Sequence, residues 1–188
     1  MGGSLDSILL MDLYDTIYLR GSMIFIYRVI LASESLLDFA LDFCEGALHS
    51  YYEAHLEEEA GHSEMLLEDL KEAGVIEVPR CHLAAAFAGS QYYLVAHDHP
   101  ALLLGYMQTL ESHSMPMPQV IALQQHHRLR LSALEHHAKH DPNHARALAE
   151  QISRQPPELQ SAIDWNRFYC GSFLVAAERQ LQEKGRVY

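Results

Sequence analysis

Apolar residues recur at intervals of three and four along almost the whole chain, and no stretch alternates apolar and polar positions for more than a few residues. That period belongs to helices, so the sequence predicts an all-α fold. Leu9, Leu10, Leu13 and Ile17 form one stripe on a first helix ending near Gly21, and Ile26, Ile30, Leu37 and Leu41 form another on a helix over about 22–43. A third run begins near Gly46 and stops at Gly74, with Pro79 just beyond, the residue types that end helices. A fourth helix covers 82–97.

Pro100 suits the first turn of a fifth helix that ends at Glu111 and is apolar nearly all round, the composition of a buried helix. Met115-Pro116-Met117-Pro118 interrupts the chain, and a helix resumes near Gln119, carrying Ile121, Leu123, Leu129, Leu131 and Leu134 towards His137. Pro142 then either kinks that helix or starts a new one with Asp141 as its N-cap. After Pro156-Pro157 a last helix, about 158–183, closes the bundle with Leu159, Ile163, Cys170, Leu174, Ala177 and Leu181.

Length and charge narrow the class. A chain of 188 residues fits one domain, 1–188, with a sizeable core. Its net charge of -12 and the lack of a basic stripe argue against nucleic-acid partners, which are held by Lys and Arg. The most apolar early stretch, Met23 to Ala32, is interrupted by Arg28 and is far short of the roughly 20 residues a membrane span needs. The first residues lack the basic and apolar regions of a secretory signal. Cys44, Cys81 and Cys170 are odd in number and lack metal-type or redox-type pair spacing, so a reducing, cytoplasmic setting is expected.

Within this pattern, polar residues that carry chemistry stand at helical spacing. His55, Glu58 and His62 follow i, i+3, i+7 and share one face of a continuous helix. His137, Asp141 and His144 repeat that spacing in reverse, so antiparallel segments would set His55 against His144, Glu58 against Asp141 and His62 against His137. Glu111 is the only Asp, Glu, Lys or Arg between Asp98 and Arg128, and a carboxylate buried there requires pairing, a proton or a metal. Imidazoles and carboxylates together suit iron, manganese or zinc, and four His with three carboxylates exceed what one ion needs, a count that favours two ions because carboxylates can bridge. Glu57 and Glu59 read as solvated or supporting residues.

The run from Tyr51 to Gly74, the Leu104-Gly105-Tyr106 helix with Glu111, and the H-x3-D-x2-H triad together resemble the heme-oxygenase-like diiron oxidases, the iron-containing redox enzymes. The likeness spans about 45–152. It implies a seven-helix bundle in which His62 and a carboxylate, Glu111, and the triad His137, Asp141 and His144 hold two iron ions that activate dioxygen as cosubstrate. Members act on small molecules, among them fatty acids, amino acids and amine nitrogens. Where many members carry a glutamate seven residues before the first-helix histidine, this chain has His55, which leaves Glu58 and Glu59 as alternatives for the carboxylate role. Tyr52, Tyr106, Met107 and Leu110 stand near these positions and are candidates for a substrate pocket. Two other readings stay open: a metal-free, thiaminase-like hydrolase using Cys81 or Cys170, and a non-enzymatic metal-binding protein. Self-association into a homodimer is left open as well.

Overall fold

The computed structural model describes residues 13–112 and 114–184, except for the side chains at 141, 142 and 184. These residues form an all-helical bundle: α1 (Thr16–Leu41), α2 (Gly46–Glu59), α3 (His62–Glu72), α4 (His82–His97), a 3-10 turn (Pro100–Leu102), α5 (Leu103–Glu111), α6 (Met117–His127), α7 (Ser132–Ser153) and α8 (Pro157–Lys184). α1 is central and packs on α2, α3, α4 and α8, while α5 lies between α7 and α8. The core gathers apolar side chains from every one of these helices into one cluster. Among the described residues no helix is long and apolar enough to cross a membrane.

Among the described residues, which hold eight α-helices where the resemblance implies seven, three departures from the sequence pattern stand out. The boundary expected at Gly21 is absent: the helix α1 starts at Thr16, capped by Asp15 Oδ1 accepting from the amides of Ile17 (2.8 Å) and Tyr18 (2.9 Å), and runs on through Gly21. Gly21 is a packing residue rather than a stop: a Cβ there would meet Leu181 Cδ2 of α8 at 3.1 Å. Leu9 and Leu10 lie outside the described residues, and Ile17, in the first turn of α1, is 64% exposed rather than buried.

The expected run from Gly46 to Gly74 is broken at Ala60 and Gly61, where Gly61 takes φ +92°, a conformation that glycine adopts without strain. The run expected from Gln119 to His137 is broken at Arg128, which takes φ 54° and caps α6. Ile121, expected inside, is 45% exposed, while Val120 and Leu123 of the same helix are buried. α7, by contrast, continues through Pro142, so neither a new helix nor an Asp141 cap forms there. Proline removes only one donor, and α7 is 22 residues long, enough to span that gap on its other hydrogen bonds.

Two buried contacts fix the helices that carry the site. Asn166 on α8 donates through Nδ2 to the Leu102 carbonyl and to Gln91 Oε1, each at 2.8 Å, tying α8 to the 3-10 turn and α4. Gly105 then lets α5 lie directly on α8: a Cβ at that position would stand 2.4 Å from the Ile163 carbonyl oxygen and 2.9 Å from the Arg167 nitrogen.

Gly105→Ala should therefore destabilise the protein by about 2 kcal/mol or more, since the clash with backbone outweighs the roughly 1 kcal/mol that alanine gains in helix propensity. Gly89→Ala and Gly171→Ala, also helical but with open space around the added Cβ, should be neutral or slightly stabilising. Thermal and denaturant unfolding of the three variants checks this, and equal behaviour of all three would contradict the close α5–α8 approach.

Candidate metal centre

Four helix segments bring titratable side chains to one place. The last turns of α2 supply His55 and Glu59, α3 opens with His62, α5 ends with Glu111, and α7 supplies His136, His137 and His144. The break at Ala60–Gly61 decides which glutamate faces inward. On a continuous helix Glu58 would share a face with His55 and His62, but α2 ends at Glu59 and restarts as α3, which turns Glu59 towards His62. Glu59 is accordingly 8% exposed, whereas the Glu58 side chain is 58% exposed at the rim, 3.7 Å from both His55 Nδ1 and His144 Nε2.

The mirrored pairing expected of antiparallel segments is present in the rings: His55 and His144 are 5.6 Å apart between centroids, and His62 and His137 are 5.0 Å apart. Glu111 is 8% exposed and faces the first pair, with Oε1 3.7 Å from His55 Nε2 and Oε2 3.6 Å from His144 Nδ1. The side chain of Asp141 lies outside the described residues.

Glu59 belongs to both pairs. Its Oε1 lies 3.9 Å from His55 Nε2 and 4.0 Å from His144 Nδ1, and its Oε2 lies 2.8 Å from His62 Nδ1. His55, Glu59 and His144 offer ligand atoms within 4.8 Å of one another, and so do Glu59, His62 and His137. Most of these separations are too long for hydrogen bonds. They suit atoms converging on a common ion, because two ligands each about 2.1 Å from one ion stand at most about 4.2 Å apart. Glu59 Oε1 and His144 Nδ1 are buried with no hydrogen-bond partner among the described residues, a costly condition that an ion would relieve. The donor set of imidazoles and carboxylates fits iron or manganese.

The surroundings tune these groups. Burial holds the His55 imidazole below its ordinary pKa, against the opposing pull of Glu59, so this ring stays neutral and able to ligate. Burial pushes the Glu59 carboxyl up, but the hydrogen bond from His62 and the neighbouring imidazoles more than offset it and leave Glu59 below the usual range. Tyr51 stacks on His55 with ring centroids 6.0 Å apart, and burial beside Glu111 and Glu58 keeps its phenol protonated.

His136 is the contact that spacing alone misses. Its Nε2 lies 3.1 Å from His62 Nε2, and its ring stacks on His140 at 4.3 Å. The only signal in the sequence is adjacency to His137, which on a helix points about 100° away; the offset start of α3 turns His62 to meet both. Asp69 is a second such residue. Its Oδ2 accepts from the Ala133 amide at 2.8 Å, so α3 caps the start of α7, which has no side-chain cap of its own.

A cavity of about 610 Å³ opens on the cluster, with His55, Glu59, Glu111 and His137 in its wall. Tyr106, Met107 and Leu110 line it, whereas Tyr52 does not: it is fully buried and donates its hydroxyl to the Pro100 carbonyl at 2.8 Å. The cysteines lie elsewhere. Cys81 caps α4 by accepting from the Ala84 amide, and Cys170 is fully buried against Gln91 and Asn166, with burial pushing its thiol up to about 12. A thiol held so far above neutrality is a poor nucleophile.

No protein-family model matches this chain, and no curated protein matches it. Among solved structures it is similar to a domain of unknown function with a heme oxygenase-like fold from Shewanella denitrificans OS217, 20% identical, with a TM-score of 0.76 over 96% of this chain and 90% of that one. At that identity the likeness speaks for architecture alone, and the chain has a heme oxygenase-like fold.

Proposed function

We propose that this protein is a non-heme dinuclear iron, or mixed iron and manganese, oxidase that uses dioxygen to oxidise a small organic substrate. The observation that carries this reading is Glu59, a buried carboxylate shared by two histidine pairs and bordering an apolar cavity. In it, Glu59 would be a ligand common to both ions, with His55, His144 and Glu111 available to hold one and His62 and His137 the other. Asp141 remains in the proposed ligand set on its spacing, and Glu58 is a rim residue.

Bound there in reduced form, the metal pair supplies the electrons that activate dioxygen. The chain's own residues do the rest. Apolar side chains of α1 and α5 keep water from the cluster and strengthen each electrostatic contact within it. Tyr106, whose hydroxyl lies 2.7 Å from Ser33 Oγ, fixes one wall against which a substrate is oriented. His136 steadies the His62 ring from outside, the role that partners of ligating histidines commonly fill. The cavity favours an enzyme over a passive metal binder, and the buried, protonated Cys170 disfavours the cysteine hydrolase.

Anaerobic loading with Fe(II) or Mn(II) followed by elemental analysis should give up to two ions per chain. Glu59→Gln should weaken binding at both positions by at least about a hundredfold, and Glu58→Gln should leave it nearly unchanged. Binding of no transition metal by the intact chain would sink the oxidase reading. Oxygen-electrode measurements on the loaded protein should show uptake that accelerates with substrate.

The metal-free protein should lose stability as pH falls. His55 is depressed when folded, so the unfolded chain binds its proton first, and stability falls as pH drops through the ordinary histidine value of about 6.5. Glu59, also depressed, adds a further loss as pH falls through the carboxylate range. Acid should likewise release bound metal, since protons compete for the imidazoles. Thermal unfolding across pH, with and without metal, tests the sign; stability of the metal-free form that rises on acidification to pH about 5 would contradict the burial of neutral His55.

A further inference from the structure

Three imidazoles stand in a row from solvent to the cluster. His140 on α7 is exposed, and one turn earlier on that helix His136 is half-buried, its ring stacked on that of His140 with centroids 4.3 Å apart and planes 20° from parallel. His136 Nε2 lies 3.1 Å from Nε2 of His62, which is 5% exposed. His62 closes the row: its Nδ1 is 2.8 Å from Glu59 Oε2, and its ring centroid is 5.0 Å from that of His137. Neither His136 nor His140 belongs to the two sets that offer ligand atoms to an ion.

The row and the cavity are separate. His137 lines the cavity, whereas His62, His136 and His140 do not. A divalent cation crossing the cavity would exchange its hydration shell for Leu, Ile, Val, Met and Phe side chains, and a charge stripped of water without ligands is costly. Along the row each ring instead offers a nitrogen lone pair, a ligand that suits iron and other transition metals. Two nitrogens each about 2.1 Å from one ion stand at most about 4.2 Å apart. The His136 and His62 Nε2 atoms therefore need only a small outward swing to share an ion, the proton between them leaving to water. His136 and His140, at i and i+4 on one helix face, are neighbours that a single ion can also bridge. Lys139, beside His140, has its charge paired with Glu135 at 2.7 Å.

We propose that His140 and His136 form the entry step for the ion position of His62 and His137: His140 takes a divalent cation from solvent, and His136 passes it to His62. The inference rests on the metal-binding part of the function proposed above. It adds that metal and organic substrate reach the centre by different routes. The position of His55 and His144 has its own exposed group, Glu58, 3.7 Å from His55 Nδ1 and from His144 Nε2, and does not use the row.

The test uses the full chain freed of metal by chelation, with Co(II) as the probe. Stopped-flow absorbance follows uptake, competition with a chelator follows release, and equilibrium titration gives the affinity. The unaltered chain should fill two positions in separate phases. His140→Ala should slow one phase by about tenfold, since a group that concentrates ions at a site raises arrival rates by about that factor or more. An entry residue speeds arrival and departure alike, so release from that position should slow equally and the affinity should stay unchanged, which neither a resting ligand nor a structural residue would produce. His140→Asp, which keeps a ligating side chain, should restore most of the rate, and His82→Ala, which removes an exposed histidine outside the row, should alter neither phase. Slowing of both phases alike or of neither, with two ions still bound, overturns the entry step and leaves the metal centre standing. A fall in affinity at unchanged uptake rate overturns it as well, because His140 would then hold the resting ion. Failure of the unaltered chain to bind Co(II) removes the metal centre and the entry step together.

Discussion

A carboxylate taken out of water has to be compensated by what surrounds it, and Glu59 imposes that condition on this fold. Its two oxygens are directed to different partners, Oε2 to His62 and Oε1 to the space between His55 and His144. Each of those histidines arrives by a different route. His55 shares α2 with Glu59, His62 follows the helix break at Ala60–Gly61, and His144 sits in the middle of α7. None of these placements is independent of the others, because a shift of any one would leave the buried charge without its neighbours.

The surrounding packing follows from the same requirement. α7 is held at its start by a side chain of α3, Asp69 capping Ala133, so the helices that supply His62 and His137 are locked to one another within a few residues of the cluster. Burial pushes the Asp69 carboxyl above its ordinary range, and the two backbone amides pull it back, the balance expected of a cap built inside a core. Glu111 is brought to depth by α5, whose approach to α8 is set by the bare backbone of Gly105 and by the Asn166 hydrogen bonds. Stability and site geometry are thus written in the same contacts.

Much of this was legible in the sequence, though unevenly. The helical class, the bounds of α4 and the last helix, and the burial of α5 all follow from strong 3.6-residue periodicity, the most dependable local signal. The pairing of His55 with His144 and His62 with His137 follows from mirrored spacing, and Glu111 stood out because it is the sole charged side chain of a long apolar stretch. What failed depended on backbone that leaves the regular path. Ala60-Gly61 sits inside a good helical pattern, so the choice between Glu58 and Glu59 turned on a break that periodicity does not register. Arg128 adopts a left-handed cap with no glycine to announce it. Gly21 gave the opposite error, a glycine required for helix contact taken as a terminus.

The cavity lay beyond such reading altogether, because it is defined by what several helices leave unfilled rather than by any one of them. Tyr18, Met23 and Leu37 carry the same apolar signal as residues in solid core, and Glu178 looks like any acid near the end of a helix. Only when α1 and α8 are set side by side does that acid enter an apolar wall, with Tyr18 donating to it. The same low-dielectric surroundings raise the cost of leaving the Glu59 cluster without a cation, so the unfilled space and the buried charge belong to one arrangement of helices.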